Sequence, residues 1–167
     1  MKQETGKQAA HEGFTLSLAL VDALPVLFFG GSCILIGLIF QSPLFIIGAC
    51  CAFLAGFGKV LWKILLAVQG RDIRWLNKQF RYLMIGGWVL ILLSVILGWK
   101  RISFPAMGAA IVSFPSVLFF ALGLAGMVTM GVLAKKLDSS VAKNNWIEQC
   151  VNACAQLSIF VGLLILL

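Results

Sequence analysis

LPVLFFGGSCILIGLIF, at residues 24–40, is followed by QSP at 41–43 and then by LFIIGACCAFLAGFGKVLWKILL at 44–66. Each apolar run is close to the roughly 20 helical residues that cross a hydrocarbon core about 30 Å thick. The polar connection between them is very short, so the second run must return beside the first as an antiparallel helical hairpin. The stretch therefore predicts two membrane-spanning helices.

The composition of the whole chain is typical of a membrane protein. Of 167 residues, 61% are apolar and 11% are charged, compared with roughly 45–50% and about 25% in an ordinary soluble domain. The apolar runs are continuous and do not alternate, which disfavours a membrane β-barrel and favours helices that satisfy their own backbone groups. We predict an all-α, multi-pass integral membrane protein that forms a single polytopic domain over residues 1–167.

Five spanning helices account for the apolar runs. The first begins at about Leu24, or as early as Phe14, with Pro25 near its start. No residue between Ile102 and Ala134 is charged, and Ser-Phe-Pro occurs there twice, ending at Pro105 and Pro115. This repeat predicts a short re-entrant or interfacial segment before the fourth span, and one long helix kinked at Pro115 is the alternative. The predicted spans are residues 24–40, 44–66, 82–99, 114–134 and 146–167.

Lysine and arginine are distributed unevenly across this topology. The positive-inside rule places the basic side in the cytoplasm, so we predict a cytoplasmic N-terminus and an external C-terminus, in a plasma (inner) membrane. The external side carries only Lys100 and Arg101. The cytoplasmic side carries eleven basic residues, namely Lys2, Lys7, Lys59, Lys63, Arg71, Arg74, Lys78, Arg81, Lys135, Lys136 and Lys143.

Two of these lysines lie inside an apolar run. Lys59 and Lys63 are four residues apart and share one face of the second helix. In a hairpin that turns at Gln41 and Ser42, Asp22 of the first helix lies level with them, so these three residues are candidates for an ion pair or a ligand site. Two alternatives are that the lysines extend to the membrane surface and that Asp22 only caps the first helix.

Residues 70–81 have the pattern of a basic amphipathic helix. Basic residues recur on one face, while Ile73, Leu76 and Phe80 lie on the other. On the cytoplasmic surface, each basic side chain would gain about 1 kcal/mol from anionic lipid. The alternative is that these charges only determine topology, and the segment offers no element that reads nucleic acid. The predicted headgroup contacts are Arg71, Arg74, Lys78 and Arg81.

Small residues form two ridges at i+4 spacing, which predicts close helix packing. The first ridge, on the second helix, contains Gly48, Ala52 and Gly56. The second, on the last helix, contains Cys150, Cys154, Ser158 and Gly162. Such ridges suit a homo-oligomer or another membrane subunit as partner, and thiol chemistry is the alternative role of the cysteines.

Motifs for catalysis, metals and cofactors are not found in the sequence. His11 is the only histidine and lies in the polar N-terminal segment, which excludes bis-histidine haem and a His-based metal site within the spans. No acid lies in the core of a predicted span, so no acid–base pair is expected there. We predict no catalytic residue, no metal, no cofactor and no enzymatic activity.

Three functions agree with these features. The first is a transporter or channel component, with the lysines serving an anionic solute or a lipid headgroup. The second is a non-catalytic accessory or scaffold subunit of a larger membrane complex, held by the small-residue ridges. The third is a thiol-dependent membrane enzyme. Of these, the sequence favours the transport component.

Overall fold

The computed structural model describes residues 15–138 and 141–167, with the side chain of Arg101 excluded. Four residues named in the predictions lie outside the described residues, namely Lys2, Lys7, His11 and Phe14. The described part of the chain is entirely helical. Its helices are α1 (Leu16–Phe40), α2 (Pro43–Gln69), α3 (Arg74–Leu97), α4 (Phe104–Ile111), α5 (Ser116–Lys136) and α6 (Ala142–Ile165), with a 3-10 turn at Trp99–Arg101.

Five of these helices, all except the short α4, are long and apolar enough to cross a membrane. This agrees with the prediction of an all-α, five-span, multi-pass protein. Many large apolar side chains on these helices are exposed, among them Leu27, Ile34 and Leu38 of α1. Such surfaces are stable in lipid, where no water has to be ordered around them.

Helix α1 begins eight residues before the predicted Leu24. Its N-cap is Thr15, whose hydroxyl accepts a hydrogen bond from the backbone N–H of Leu18 at 3.3 Å. Asp22 and Pro25 both lie inside the helix, so the interpretation of Asp22 as a helix cap is wrong. Proline removes one backbone hydrogen bond of the helix, and membrane helices tolerate this where neighbouring helices or local adjustments satisfy the freed carbonyl.

The predicted hairpin turn is present between α1 and α2. Gln41 adopts a left-handed conformation with φ 45° and its N–H bonds to the carbonyl of Gly37. Ser42 then caps α2, accepting from the N–H of Phe45, and Pro43 occupies the first helical turn, where no N–H is needed. The buried hydroxyl of Ser94 on α3 donates to Ser42 at 2.8 Å, which fixes this turn against α3.

The basic stretch at 70–81 is not a separate surface helix. Gly70 ends α2 with φ 64°, and α3 then runs without interruption from Arg74 into the predicted third span. No proline or glycine stands between Arg74 and Tyr82 to stop the helix. Residues 74–81 are therefore the first two turns of a spanning helix.

The Ser-Phe-Pro repeat brackets a real break. Helix α4 ends at Ile111 and α5 begins at Ser116, so residues 102–134 do not form one helix kinked at Pro115. Ser113 stabilises the break by donating to the carbonyl of Ala110 at 2.7 Å. The alternative of a single kinked helix is wrong, because two complete helix ends lie between Gly108 and Ser116.

The spanning helices pack side by side in the order α3, α2, α1, α6, α5. Helices α2 and α3 meet most closely at Gly48 and Gly87, where a Cβ on Gly48 would lie 2.7 Å from the carbonyl oxygen of Gly87. Ala52 is buried at the same contact, whereas Gly56 faces Val26 of α1. The predicted ridge of α2 is therefore buried, but it serves two neighbouring helices.

The predicted ridge on α6 is only half correct. Ser158 and Gly162 are buried, and a Cβ on Gly162 would lie 3.2 Å from the Phe120 ring of α5, but Cys150 and Cys154 are exposed. Positions at i+4 drift by about 40° per step, so a ridge of four residues turns by about 120° around the helix. Ala155, which lies against Gly126 of α5, continues the buried seam instead.

Candidate functional site

A buried ion pair joins the first two helices. The Nζ atom of Lys63 on α2 lies 2.9 Å from Oδ2 of Asp22 on α1, and the two side chains are only 3% and 9% exposed. Lys63 therefore does not extend to the membrane surface, which is the alternative considered for it above. The hairpin register places Asp22 beside the lysines, and the structure contains the pair with Lys63.

Helix α6 completes this site with polar side chains. The Nζ atom of Lys63 also donates to Oδ1 of Asn145 at 3.3 Å, which links α2 to α6 across α1. Glu148 and Gln149 follow within one turn on the same side of α6, and both are buried. We call Asp22, Lys63, Asn145, Glu148 and Gln149 the polar centre.

The three helices bring the polar centre to one depth. The charged residues of the polar centre each lie six residues from an end of their helix, namely Asp22, Lys63 and Glu148. Six residues correspond to a distance of about 9 Å along the helix axis. Helices α1 and α2 are about 40 Å long and exceed a 30 Å hydrocarbon core by about 5 Å at each end. Helices centred on such a core would place the polar centre a few ångströms inside the hydrocarbon, where leaving a charge unpaired is costly.

Lys59 lies one turn deeper, at the edge of the polar centre. Its Nζ atom is 4.8 Å from the centroid of the Phe80 ring of α3, a cation–π contact. It also interacts electrostatically with Lys63, Asp22 and Glu148. The half-buried Lys59 is therefore in electrostatic contact with the pair but directs its ammonium towards an aromatic face.

Sequence reasoning missed the contribution of α6. Glu148 lies only two residues inside the predicted fifth span, where an acid is expected at the interface, and Asn145 precedes that span. Helix α6 instead begins at Ala142, which carries both residues into the packed region. A signal was present in the Asn145, Glu148 and Gln149 spacing, which places three polar side chains within about 100° of one helix face.

The predicted headgroup residues form a separate, exposed surface. Arg71, Arg74, Lys78 and Arg81 are all exposed, around the end of α2 and the first turns of α3. Asp72 lies among them. Its Oδ1 atom accepts a hydrogen bond of 2.9 Å from the indole N–H of the buried Trp62, and its Oδ2 atom lies 3.5 Å from Nε of Arg74. This contact attaches the connection between α2 and α3 to the body of the protein.

Thiol chemistry receives little support from the surroundings of the cysteines. All five cysteines carry free thiols, and Cys50, Cys150 and Cys154 are exposed on spanning helices. Cys33 and Cys50 line a groove of about 710 Å³ between α1 and α2, whose described lining is made of apolar residues and glycines. Reactive thiolates are stabilised by neighbouring positive charge, which this lining does not supply.

No protein-family model, curated protein or solved structure matches this chain.

Proposed function

We propose that this chain is a component of a membrane transporter or channel for an ionised solute, with a non-catalytic role. The observation that carries the proposal is the Asp22–Lys63 pair, 2.9 Å long and extended to Asn145, inside three spanning helices. Ionisable groups at membrane depth are rare because they are costly, and they commonly mark ion or substrate paths. Asp22, Lys63 and Asn145 lie on three different helices. A small movement of one helix would therefore change the contacts of the ion pair.

Helix packing does not by itself require this centre. The contact between α2 and α3 depends on Gly48 and Gly87, and the contact between α5 and α6 depends on Gly123, Gly126 and Ala155. Close approach of small residues is sufficient to hold membrane helices together. A buried ion pair often contributes less than apolar residues of the same volume would, so its presence supports a functional role.

Lys59 supports an anionic solute or lipid headgroup as the transported group. The charge of Lys63 is matched by Asp22, whereas the described contact of the Lys59 ammonium is the face of Phe80. A cation–π contact contributes only about 0.5–2 kcal/mol. An anion can therefore replace the ring as the partner of Lys59 at little cost.

The proposal predicts that Lys59→Gln impairs transport. Purified protein, with any subunits that remain bound in mild detergent, is reconstituted in liposomes, and uptake of labelled chloride, phosphate and succinate is measured. We expect a loss of about tenfold for the transported anion, because one charge-assisted contact is removed. Lys136→Gln, which neutralises an exposed lysine in the last turn of α5, is the control and should retain full uptake. Equal uptake by wild type and the Lys59 variant would contradict the proposal.

An accessory or scaffold subunit is the second candidate. It is favoured by the arrangement of the spanning helices in a row, because α3 and α5 occupy the two ends and leave long apolar faces for a partner. Copurification in mild detergent separates the candidates. A foreign membrane protein in stoichiometric amount supports the subunit function, and a homo-oligomer that transports without other proteins supports the transporter.

We propose a cytoplasmic N-terminus and an external C-terminus, in a plasma (inner) membrane. In this orientation the polar centre, Arg71 and Lys143 lie on the cytoplasmic side, as the positive-inside rule requires. Reporter fusions should show an external position after Leu167 and a cytoplasmic position within residues 71–81. A cytoplasmic reporter after Leu167 would require an even number of crossings and would overturn this topology.

The exposed basic side chains at the start of α3 support contact with anionic lipid headgroups on the cytoplasmic surface. Arg74 and Lys78 lie in the first two turns of α3, the part of the helix closest to the proposed cytoplasmic headgroups. At the other surface, the short α4 is exposed along most of its length, with Met107 and Gly108 as examples. We propose that α4 is an interfacial or re-entrant segment on the external side.

A further inference from the structure

We infer that Cys33 of α1 and Cys50 of α2 together bind one soft, thiophilic metal ion of the class Hg²⁺, Ag⁺ and Cu⁺. The inference is independent of the transport function proposed above. Both cysteines line the groove between α1 and α2, whose described lining contains no residue of the polar centre. Thiolates select soft metal ions over hard ones.

Two close contacts, one on each side of the cysteines, fix the register of α1 against α2. A Cβ on Gly30 of α1 would lie 2.8 Å from the ring of Phe53 on α2. A Cβ on Gly37 would lie 3.7 Å from the side chain of Ile46. In an antiparallel pair with this register, the residue three positions after Gly30 is level with the residue three positions before Phe53.

Cys33 and Cys50 occupy these two level positions. Their sulfur atoms are close enough to interact electrostatically, and both belong to the lining of one groove. Cys33 packs against the buried cluster that contains Ala49, whereas Cys50 is exposed. One thiol is therefore held in place, and the other can change its rotamer to reach a shared ion.

The number of ligands favours an ion of low coordination number. Among the described residues, no three His, Cys, Asp or Glu side chains form a group that could hold a metal. Structural zinc and iron–sulfur sites use about four protein ligands, so a cysteine pair does not suit them. The ions Hg²⁺, Ag⁺ and Cu⁺ accept two sulfur ligands in a line. With metal–sulfur bonds of about 2.3 Å, as in zinc sites, such an ion joins two sulfur atoms about 4.6 Å apart.

The apolar lining favours a neutral complex. Leaving a net charge among the apolar residues and glycines of the groove is costly. Hg²⁺ replaces the protons of both thiols and forms a neutral S–Hg–S bridge, whereas Ag⁺ or Cu⁺ replaces one proton and binds one thiolate and one thiol. The ion itself supplies the positive charge that deprotonates a thiol, so the site needs no basic side chain.

The test is mercury binding by the full-length protein with Cys51→Ala, Cys150→Ala and Cys154→Ala, which retains Cys33 and Cys50. HgCl₂ is added in mild detergent, and the thiolate-to-mercury absorption and the released protons are measured. Each HgCl₂ that reacts with both thiols forms two mercury–sulfur bonds and releases two protons and two chloride ions. We expect the absorption to saturate at about one mercury ion per protein. Saturation at about two mercury ions per protein would overturn the inference, because each thiol would then bind a separate ion.

A competing thiol measures whether the two cysteines act together. Two thiols on one protein have an effective concentration of the order of mM, so this protein should retain at least about tenfold more mercury than its Cys33→Ser variant in about 0.1 mM β-mercaptoethanol. The matched control retains Cys33 and Cys51, with Cys50→Ala. Cys51 points about 100° away from Cys50 and is not part of the described lining, so the control should lose mercury like the Cys33→Ser variant. Equal retention by all three proteins would overturn the inference.

The wild type provides a measurement that does not depend on the folding of variants. The protein is loaded with one equivalent of HgCl₂ and digested with pepsin, and mercury-bridged peptides are identified by mass spectrometry. A peptide containing Cys33 should be joined through mercury to a peptide containing Cys50. Absence of this pair, or mercury found only on Cys150 and Cys154, would overturn the inference.

Discussion

Asp22→Asn is expected to lower the free energy of unfolding by about 3 kcal/mol, because it leaves the ammonium of Lys63 buried without its carboxylate. Lys63→Gln should have a similar effect, since it leaves the carboxylate of Asp22 in the same position. The pair is 2.9 Å long and almost fully removed from the surface, which is the setting in which an orphaned charge is most costly. Reversible unfolding in mixed micelles with increasing SDS measures the difference.

The double variant Asp22→Asn/Lys63→Gln identifies the pair as the cause. It should recover at least half of the loss of either single variant, because both charges are then removed together. Arg74→Gln is the control. It breaks the contact between Nε of Arg74 and Oδ2 of Asp72, which are 3.5 Å apart. Because both side chains are largely exposed, the loss in the free energy of unfolding should be less than about 1 kcal/mol. Strictly additive losses in the double variant would show that Asp22 and Lys63 act independently.

Gly87→Ala should destabilise the protein by about 2 kcal/mol through the contact between α2 and α3. A Cβ on Gly87 would lie 2.6 Å from the carbonyl oxygen of Gly48 and 2.8 Å from the backbone N of Ala52. These are backbone atoms, so the two helices must separate to admit the methyl group. The separation also lengthens the hydrogen bond between Ser42 and Ser94, which lies at the same interface. Unfolding in SDS measures this effect as well.

Gly86→Ala is a matched control for this prediction. Gly86 is the preceding residue of the same helix, and a Cβ there would meet no atom of the described residues within 4 Å. Both substitutions change helix propensity by the same amount, about 1 kcal/mol in favour of alanine. Gly86→Ala should therefore leave stability unchanged or raise it slightly. Equal effects of the two substitutions would mean that α2 and α3 do not approach closely at Gly87.

The sequence allowed prediction of the spanning helices and of one contact between them. The Asp22–Lys63 contact was predictable because the turn at Gln41 and Ser42 is short and fixes the register of α1 against α2. No comparable turn connects α6 to α1, so nothing in the periodicity places Asn145 beside Lys63. Contacts between helices that are distant in the chain depend on packing order, which a single sequence does not specify.

Helix boundaries show a second limit. The charges at residues 70–81 indicate a surface segment when read alone, yet the absence of a helix breaker lets α3 begin at Arg74. The ridge from Cys150 to Gly162 assumes strict i+4 periodicity, but 3.6 residues per turn rotates it away from α5 at Cys150. In both cases the types of residue were interpreted correctly. Where each residue lies, however, follows from the geometry of a continuous helix.

The most direct test of whether the polar centre serves transport is anion uptake by the double variant Asp22→Asn/Lys63→Gln. This variant should regain much of its stability while lacking the charges that the proposed mechanism needs. Uptake of labelled chloride, phosphate and succinate is measured in liposomes that contain equal amounts of folded variant and wild type. We predict that uptake of the transported anion falls at least about tenfold in the double variant although Lys59 is retained, because the charged contacts between α1 and α2 that a helix movement would change are removed. Uptake equal to that of the wild type would contradict the account and show that the pair only holds the helices together.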